Sequence, residues 1–515
     1  MKNIFARIVG LLLLLNSYFL LAQSKQVELI RANSLEGTVR MGLPTRVLKG
    51  NVVFQHAGAK MYCDSSYQFQ NRNDLEAFDH IKVIKSDSQK LFGDHMTYYG
   101  DQKLAKVSGS RVVLINNSLT LYTTILDYNL GTDIANYSNK GTVIDKENKL
   151  DSQFGTFYKH QNLFVFIKNV VFTDKKHTIY TDTLEYNTTT KIVKFKGPTQ
   201  IVGSDGTMNS LSGQYNSITK KSKFIGRTHI NYDIYILYAD EVDYDQFKHF
   251  GTAKGNVEVF SSKDSVTIFG NEAKYSSGSK TNTKVYPEAL MRSISAGDTL
   301  YLSSDTLYAV NDTISKTKQK KMFAYHQVKV FNKTYQAICD SLIYDAIDTS
   351  ITFFKDPVLW SGKNQMRGDT IKVFSKSKKV DKVLLRTKAF SISVDTLANF
   401  NQVRGKNMTA FFETNKLKKI DVKANAETNY FALSGDTLLS GMNHVESEDL
   451  TVRFENQKLK QIAFYKKPKA KFIPPHELKD EALRLRGFKW RVKEKPDIKM
   501  VLGKYYDKLY NHIKK

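Results

Sequence analysis

Two cysteines, eleven histidines and a recurring aspartate are the residues of this 515-residue chain whose types could do chemistry. Cys63 and Cys339 are each followed by Asp and then Ser, so they hold the same place in a repeated phrase. A disulfide or redox pair is one reading of them, and a small core residue at equivalent positions is the other. In a linear stack they would lie many layers apart, beyond the ~7 Å Cα separation that a bridge tolerates, so no disulfide is expected. The histidines are scattered, with neither H-E-x-x-H nor paired-cysteine spacing, and no metal site is expected. No G-x-S-x-G elbow or phosphate-binding glycine loop occurs. The repeated aspartates could supply carboxylate pairs for glycoside cleavage, as in a polysaccharide-acting β-solenoid enzyme. One active site, however, has no use for a carboxylate in every repeat. The chain is expected to be no enzyme and to need no cofactor.

The elements that must position these residues are legible in the repeat. A polar residue, an apolar one two positions on and an aromatic two further recur as Asp94-Met96-Tyr98, Thr124-Leu126-Tyr128, Asp182-Leu184-Tyr186, Asp240-Val242-Tyr244, Asn271-Ala273-Tyr275 and Asp340-Leu342-Tyr344. Less regular copies put aromatics at Tyr67, Tyr158, Tyr215, Tyr308, Phe374 and Phe411, and from Tyr67 to Tyr275 the aromatic returns every 28 to 31 residues. A second phrase, a glycine opening a β-rich run, begins at Gly50, Gly141, Gly197 and Gly255, each 17 to 20 residues ahead of an aromatic. Within Asp182–Tyr186 and Asp240–Tyr244 the apolar and charged residues take opposite parity, which is the period of a strand with one dry face. Each repeat therefore predicts strand, turn, strand, turn, with the glycine at a bend. A stack of bent strands puts the inward residues of every repeat into one apolar trough. The expected class is all-β, an elongated, solenoid-like stack with repeats near thirty residues.

The first 22 residues, with Lys2 and Arg7 ahead of the Leu11–Leu15 run and Ala22 near the end, have the layout of a cleaved secretory signal, an uncleaved anchor being the alternative. The formal charge of +26 would suggest nucleic acid in a cytosolic chain, and export argues against that partner. From Asn456 to Lys515 there are 18 Lys/Arg against 6 Asp/Glu, so much of the excess lies at the C-terminus. It is either a solvated basic tail or a contact for anionic head groups or an acidic partner. The regular pattern stops near Phe464, and four of the eight prolines follow it. Residues 466–515 are expected to form a separate, partly disordered appendage with short helices over Glu477–Arg486 and Tyr505–Ile513.

Ala32-Asn33-Ser34-Leu35-Glu36-Gly37, then Leu48-Lys49-Gly50-Asn51-Val52-Val53-Phe54 and Ala59-Lys60-Met61-Tyr62-Cys63-Asp64, resembles the opening pattern of the OstA/LptA family. Gly93-Asp94-His95-Met96-Thr97-Tyr98 resembles its recurrent G-D-x-x-x-Y phrase. The resemblance is clearest over residues 27–130 and returns around 250–275 and 335–375. It implies a β-jellyroll of V-shaped strands, two sheets meeting at a fold, which shelters the acyl chains of lipopolysaccharide between inner and outer membranes. The organisation expected is a signal at 1–22, OstA/LptA-like repeats at 23–130, further repeats at 131–465 and the basic tail at 466–515. This chain departs from the family in being several times longer than single-domain carriers, and its tail lacks the alternating strands of an outer-membrane barrel.

The leading expectation is a periplasmic carrier or bridge, peripheral to the outer membrane, for lipopolysaccharide or a related glycolipid. Met96, Tyr98, Leu126, Tyr128, Leu184, Tyr186, Val242, Tyr244, Ala273, Tyr275, Leu342 and Tyr344 are the candidates for lining its groove; core packing is the other reading of the same residues. Edge strands are expected to pair with other Lpt-type envelope proteins, and the basic tail with a membrane surface. The rival is a structural or adhesive envelope spacer whose repeats enclose a dry, closed core.

Overall fold

The computed structural model describes residues 26–510 except 147, 205, 279, 296–297, 313–318, 377–378, 415, 436 and 456–457; the segment expected to be a secretory signal lies outside the described residues. Strand makes up 73% and helix 5%, so the chain is all-β. Every assigned pairing is antiparallel, mostly between consecutive strands joined by short hairpins. The chain divides into two compact units, Met1–Ile218 and Thr219–Lys515. Among the described residues no helix is long and apolar enough to cross a membrane.

In both units the strands fold in the middle. Asp74–Ser86 pairs with Gln89–Tyr99, and the register slips between Phe78 and Ile81, where Asp79 and His80 both take positive φ. The same slip recurs in unit 1 at Lys168 and Asn169 and in unit 2 at His326 and Gln327. Two consecutive residues in the left-handed region turn the strand sharply and re-aim it, the geometry of a β-bulge. Elsewhere the bend divides the strand outright, as between Ile134–Tyr137 and Gly141–Asp145. Each unit thus has two leaves meeting at a corner, with hairpin tips along the opposite, open margin. We call the leaf bearing the repeat aromatics the first leaf and the other the second.

The glycine phrase marks corners for two reasons. Gly50 and Gly255 have φ of +76° and +73° and are followed by Asn51 and Asn256, also at positive φ. Gly141 instead leaves room: a Cβ there would lie 2.5 Å from the Tyr137 ring, and one on Gly155 would lie 2.3 Å from its other side.

In unit 1 the inward residues of both leaves merge into one apolar core running from Val27 to Val193. Phe54, Met61, Leu75, Leu91, Leu126 and Phe166 are all essentially excluded from solvent within it.

Residues 466–510 do not hang free. Lys469–Ile473 forms a further strand on Leu438–Glu455, and the chain then crosses the outer face of the second leaf of unit 2. Leu478 and Leu483 pack on Phe431 and Met442, Leu485 on Phe390 and Ile392, Phe488 and Trp490 on Phe400, and Val501, Leu502 and Leu509 on Phe269, Leu290 and Tyr301. Buried amides on the sheet bind this strap through its main chain. Gln402 Nε2 donates to Leu483 O (2.7 Å) while its Oε1 accepts from Leu485 N (2.9 Å). Gln365 treats Lys489 O and Arg491 N alike, both at 2.7 Å, and Asn429 Nδ2 donates to Ala482 O (2.9 Å). These bonds hold the strap extended, which is why the helix expected over Glu477–Arg486 does not form beyond the single 3-10 turn Pro475–Glu477. Short helices do occur at Ile498–Leu502 and Tyr506–Tyr510. Part of the basic excess is spent on docking: Lys504 pairs with Glu288, Lys508 with Glu258, and Arg491 with Asp356.

Candidate functional site

The repeated phrase acquires its geometry from the corner. Its first residue sits beside the bulge of the neighbouring strand, and at Asp94, Asp240 and Asp340 the carboxylate bonds to that bulge. Asp94 Oδ2 accepts from Ser110 N (2.8 Å), Asp240 Oδ2 from Asn256 Nδ2 (2.7 Å), and Asp340 pairs with Lys355 (3.0 Å). Asp94 thereby serves the backbone, and Asp240 and Asp340 bind side chains at the corner; each acid has its own corner partners, so they form no convergent pair. The apolar and aromatic residues that follow point inward along the first leaf, because a strand sends alternate side chains to one face.

In unit 1, Met96, Tyr98, Leu126, Tyr128, Leu184 and Tyr186 all enter the single core and are fully buried. Glu185 faces out and pairs with Lys196 (2.7 Å). In unit 2, Val242, Ala273 and Leu342 are buried, whereas Tyr244 is half-buried and Tyr275 and Tyr344 are 40% and 36% exposed. Both cysteines are buried free thiols at corners, Cys63 in unit 1 and Cys339 in unit 2, and burial pushes each up to about 12.

The hydroxyls of Tyr98, Tyr128 and Tyr186 reach the open margin, where they meet partners from the second leaf and, for Tyr128, from its own hairpin tip. Tyr98 Oη lies 2.7 Å from His56 Nδ1. Tyr128 donates to Asp133 Oδ1 (2.6 Å) and receives a close bond from Gln89. Lys85 reaches across to Asp133 (2.6 Å) and to Leu130 O (2.7 Å), and Lys159 reaches back to Gln89 Oε1 (2.6 Å). One layer group further on, Tyr186 donates to Asp145 Oδ2 (2.7 Å), which also accepts from Lys191 (2.8 Å), while Ser118 donates to Asp145 Oδ1 (3.2 Å). Burial raises the three phenols, and Asp133 and Asp145 strengthen that effect on Tyr128 and Tyr186. Burial alone would raise Asp133 and Asp145, but the lysine and tyrosine partners hold both below the ordinary carboxylate range. These clasps seal the margin with side chains alone, so the interior can be opened without breaking a backbone ladder.

The partners His56, Gln89, Asp133 and Asp145 escaped sequence reasoning because they lie 5 to 42 residues from the tyrosine they bind. The one local signal is an acid at a strand end or hairpin tip, as Asp133 follows Tyr128 into its turn. Among the described residues one trio, Glu427, His444 and Glu446, could converge on a cation. Glu427 is already paired closely with Arg404, and His444 is anchored through Nδ1 to Asn429 Oδ1 (2.7 Å).

Comparison with known protein families gives two matches. A model described as OstA-like protein matches residues 24–182 and 164–240, and one described as LptA/(LptD N-terminal domain) LPS transport protein matches 237–379. Together they cover more than half of the chain. No curated protein matches it.

Proposed function

The chain belongs to the OstA/LptA-like family of lipopolysaccharide-transport proteins, and from that premise we propose that it is a non-enzymatic periplasmic carrier or bridge for lipopolysaccharide or a related glycolipid. The observation that carries the reading is an apolar interior held between two leaves and closed at one margin only by side-chain clasps. Parting that margin would let acyl chains replace leaf-to-leaf contacts, each Å² of apolar surface kept from water contributing about 25 cal/mol. Lysines of the margin, such as Lys85 and Lys191, would then be released toward the phosphates of the head group.

The edge of unit 1 supports a bridging role. Glu28–Arg31 and Ser34–Arg40 both pair on one side with Leu43–His56, and among the described residues neither has a strand on its other side. Leu35, Val39 and Met41 there are more than half exposed. Such an edge suits β-augmentation by another Lpt-type protein. The outward lysines and arginines of the strap suit contact with an anionic membrane surface.

One observation favours the rival spacer: the six candidate residues of unit 1 are wholly buried and its margin is bolted. Ligand content separates the two. Solvent extraction of protein purified from cells should yield lipid A-type molecules, and a photo-crosslinker at Leu184 should label lipopolysaccharide in living cells. A buried and reactive probe that never labels lipid, in protein that yields none, would leave the spacer.

A further inference from the structure

The inward row of the second leaf is not equally covered along the chain. In unit 1 the paired residues Leu114 and Leu121, Val143 and Leu150, and Phe172 and Ile179 are all buried, and only the last such pair, Ile201 and Met208, is half-buried. In unit 2 the corresponding pairs Ile230 and Leu237, and Val259 and Ile268, are only half-buried, although Thr228, Ala239 and Val257 beneath them are closed off. Cover returns at the next pair, Met291 and Leu302. Within unit 2 the gap therefore covers four strands, Lys221–Tyr232, Tyr235–Asp245, Phe250–Ser261 and Val266–Ser276.

The margin over this gap differs from the clasped margin of unit 1 in the same sense. Tyr235 and Tyr275 keep the inward phase of their strands and yet are 43% and 40% exposed, and Phe247 at a hairpin tip is 69% exposed. Across the margin Lys320 pairs with Asp264 at 2.8 Å, both partners substantially exposed. An exposed pair of this kind contributes at most about 1 kcal/mol, and it lacks the buried tyrosine and lysine partners that surround Asp133 and Asp145. Exposed aromatic residues above incompletely covered aliphatic ones suit a binding site. Tyrosine suits a boundary where one end of the ligand is apolar and the other wet.

We propose that the margin of unit 2 between residues 228 and 276 is the entrance by which the acyl chains of a phosphorylated glycolipid reach the interior, with Ile230, Leu237, Val259 and Ile268 receiving the chains and Tyr235, Tyr275 and Lys320 meeting the head group. The assignment rests on the carrier reading above and adds to it where loading begins. The Lys320–Asp264 pair is the latch: an incoming phosphate competes with Asp264 for the lysine.

Hydrogen–deuterium exchange on the unmodified full chain tests this, with dispersed hexa-acyl, bis-phosphorylated lipid A as the probe and its co-elution with the protein as the measure of capture. Protection should arise first in peptides spanning 228–276 and not in those spanning 81–129. Ile268→Asp, at a site already half-open and so compatible with folding, should weaken capture about tenfold, equivalent to about 1.4 kcal/mol. Leu438→Asp, at an exposed position of the same unit, should leave capture unchanged. Lipid that co-elutes but protects 81–129 first or equally would overturn the entrance and leave the carrier reading standing. Folded protein with which no lipid co-elutes would overturn the carrier reading, and the entrance with it.

Discussion

Leu184 and Glu185 are neighbours on one strand with opposite surroundings, the first sealed in the core and the second on the surface beside Lys196. Leu184→Asp places a carboxylate in an apolar interior and should cost about 3 kcal/mol or more in stability. Glu185→Lys should stay within about 0.5 kcal/mol, since an exposed ion pair contributes little. Thermal melting of the two proteins checks the pair; equal effects would mean that the strand phase is misassigned. The clasps predict a pH profile. Asp145 is held below its ordinary value by Lys191 and Tyr186 against the effect of burial, so its stabilisation is present at neutral pH and is lost as pH falls through the folded value. Tyr186 is pushed up by burial and by Asp145, so its stabilisation is present below the unfolded phenol value and lost as pH rises toward the folded one. Melting temperature should fall on both flanks. Asp145→Asn should flatten the acid flank and lower neutral stability by about 1–3 kcal/mol, since the amide removes the charge and turns one of the two acceptor oxygens into a donor.

At the scale of elements, the strap is joined to the sheet by side-chain amides that bind main-chain groups in pairs, and it covers Trp360, Phe390 and Phe431. Gln402→Ala leaves Leu483 O and Leu485 N without their partner and should cost about 1–3 kcal/mol. The loss should appear locally, as faster proteolysis beyond Pro474 with the far-UV spectrum unchanged. Ending the chain at Ile473 should preserve the β spectrum while exposing the aromatic row, and dye binding to exposed apolar surface should rise. A truncated protein as soluble and as resistant to proteases as the full chain would show that the strap contributes nothing to the sheet. The corners obey a simpler rule. Gly255→Val sets a β-branched residue at φ of +73° against Asp240 and should cost about 1–2 kcal/mol or more, measurable as a shift in the denaturant midpoint.

At the scale of the whole molecule, a carrier should be stabilised by its cargo. At free lipid one hundred times its Kd, unfolding should cost about 2.7 kcal/mol more than without lipid, and the melting temperature should rise with lipid concentration. A spacer with a dry core would show no such rise. The rise should be read separately from peptides of Met1–Ile218 and Thr219–Lys515 by hydrogen exchange at increasing denaturant.

What the sequence by itself determined is everything that follows from alternation along one strand. The parity of Asp182 to Tyr186 is enough to put Leu184 inside and Glu185 outside, and Gly50 and Gly255 mark bends from their own backbone preferences. All-β stacking follows from the same local rhythm, and the family resemblance from the motifs at residues 32–64 and 93–98. Tertiary structure decided what depends on a second segment. Six tyrosines occupy one place in the repeat, yet Tyr98, Tyr128 and Tyr186 are sealed by His56, Asp133 and Asp145, whereas Tyr275 and Tyr344 stand at an open margin. The basic, proline-bearing end has the composition of a loose tail, and it is ordered by Gln365, Gln402 and Asn429, which lie 53 to 126 residues away. Alternation is a property of one backbone and survives in any window of a few residues. Burial and hydrogen-bond satisfaction are properties of pairs, and the sequence does not say which pairs the corners bring together.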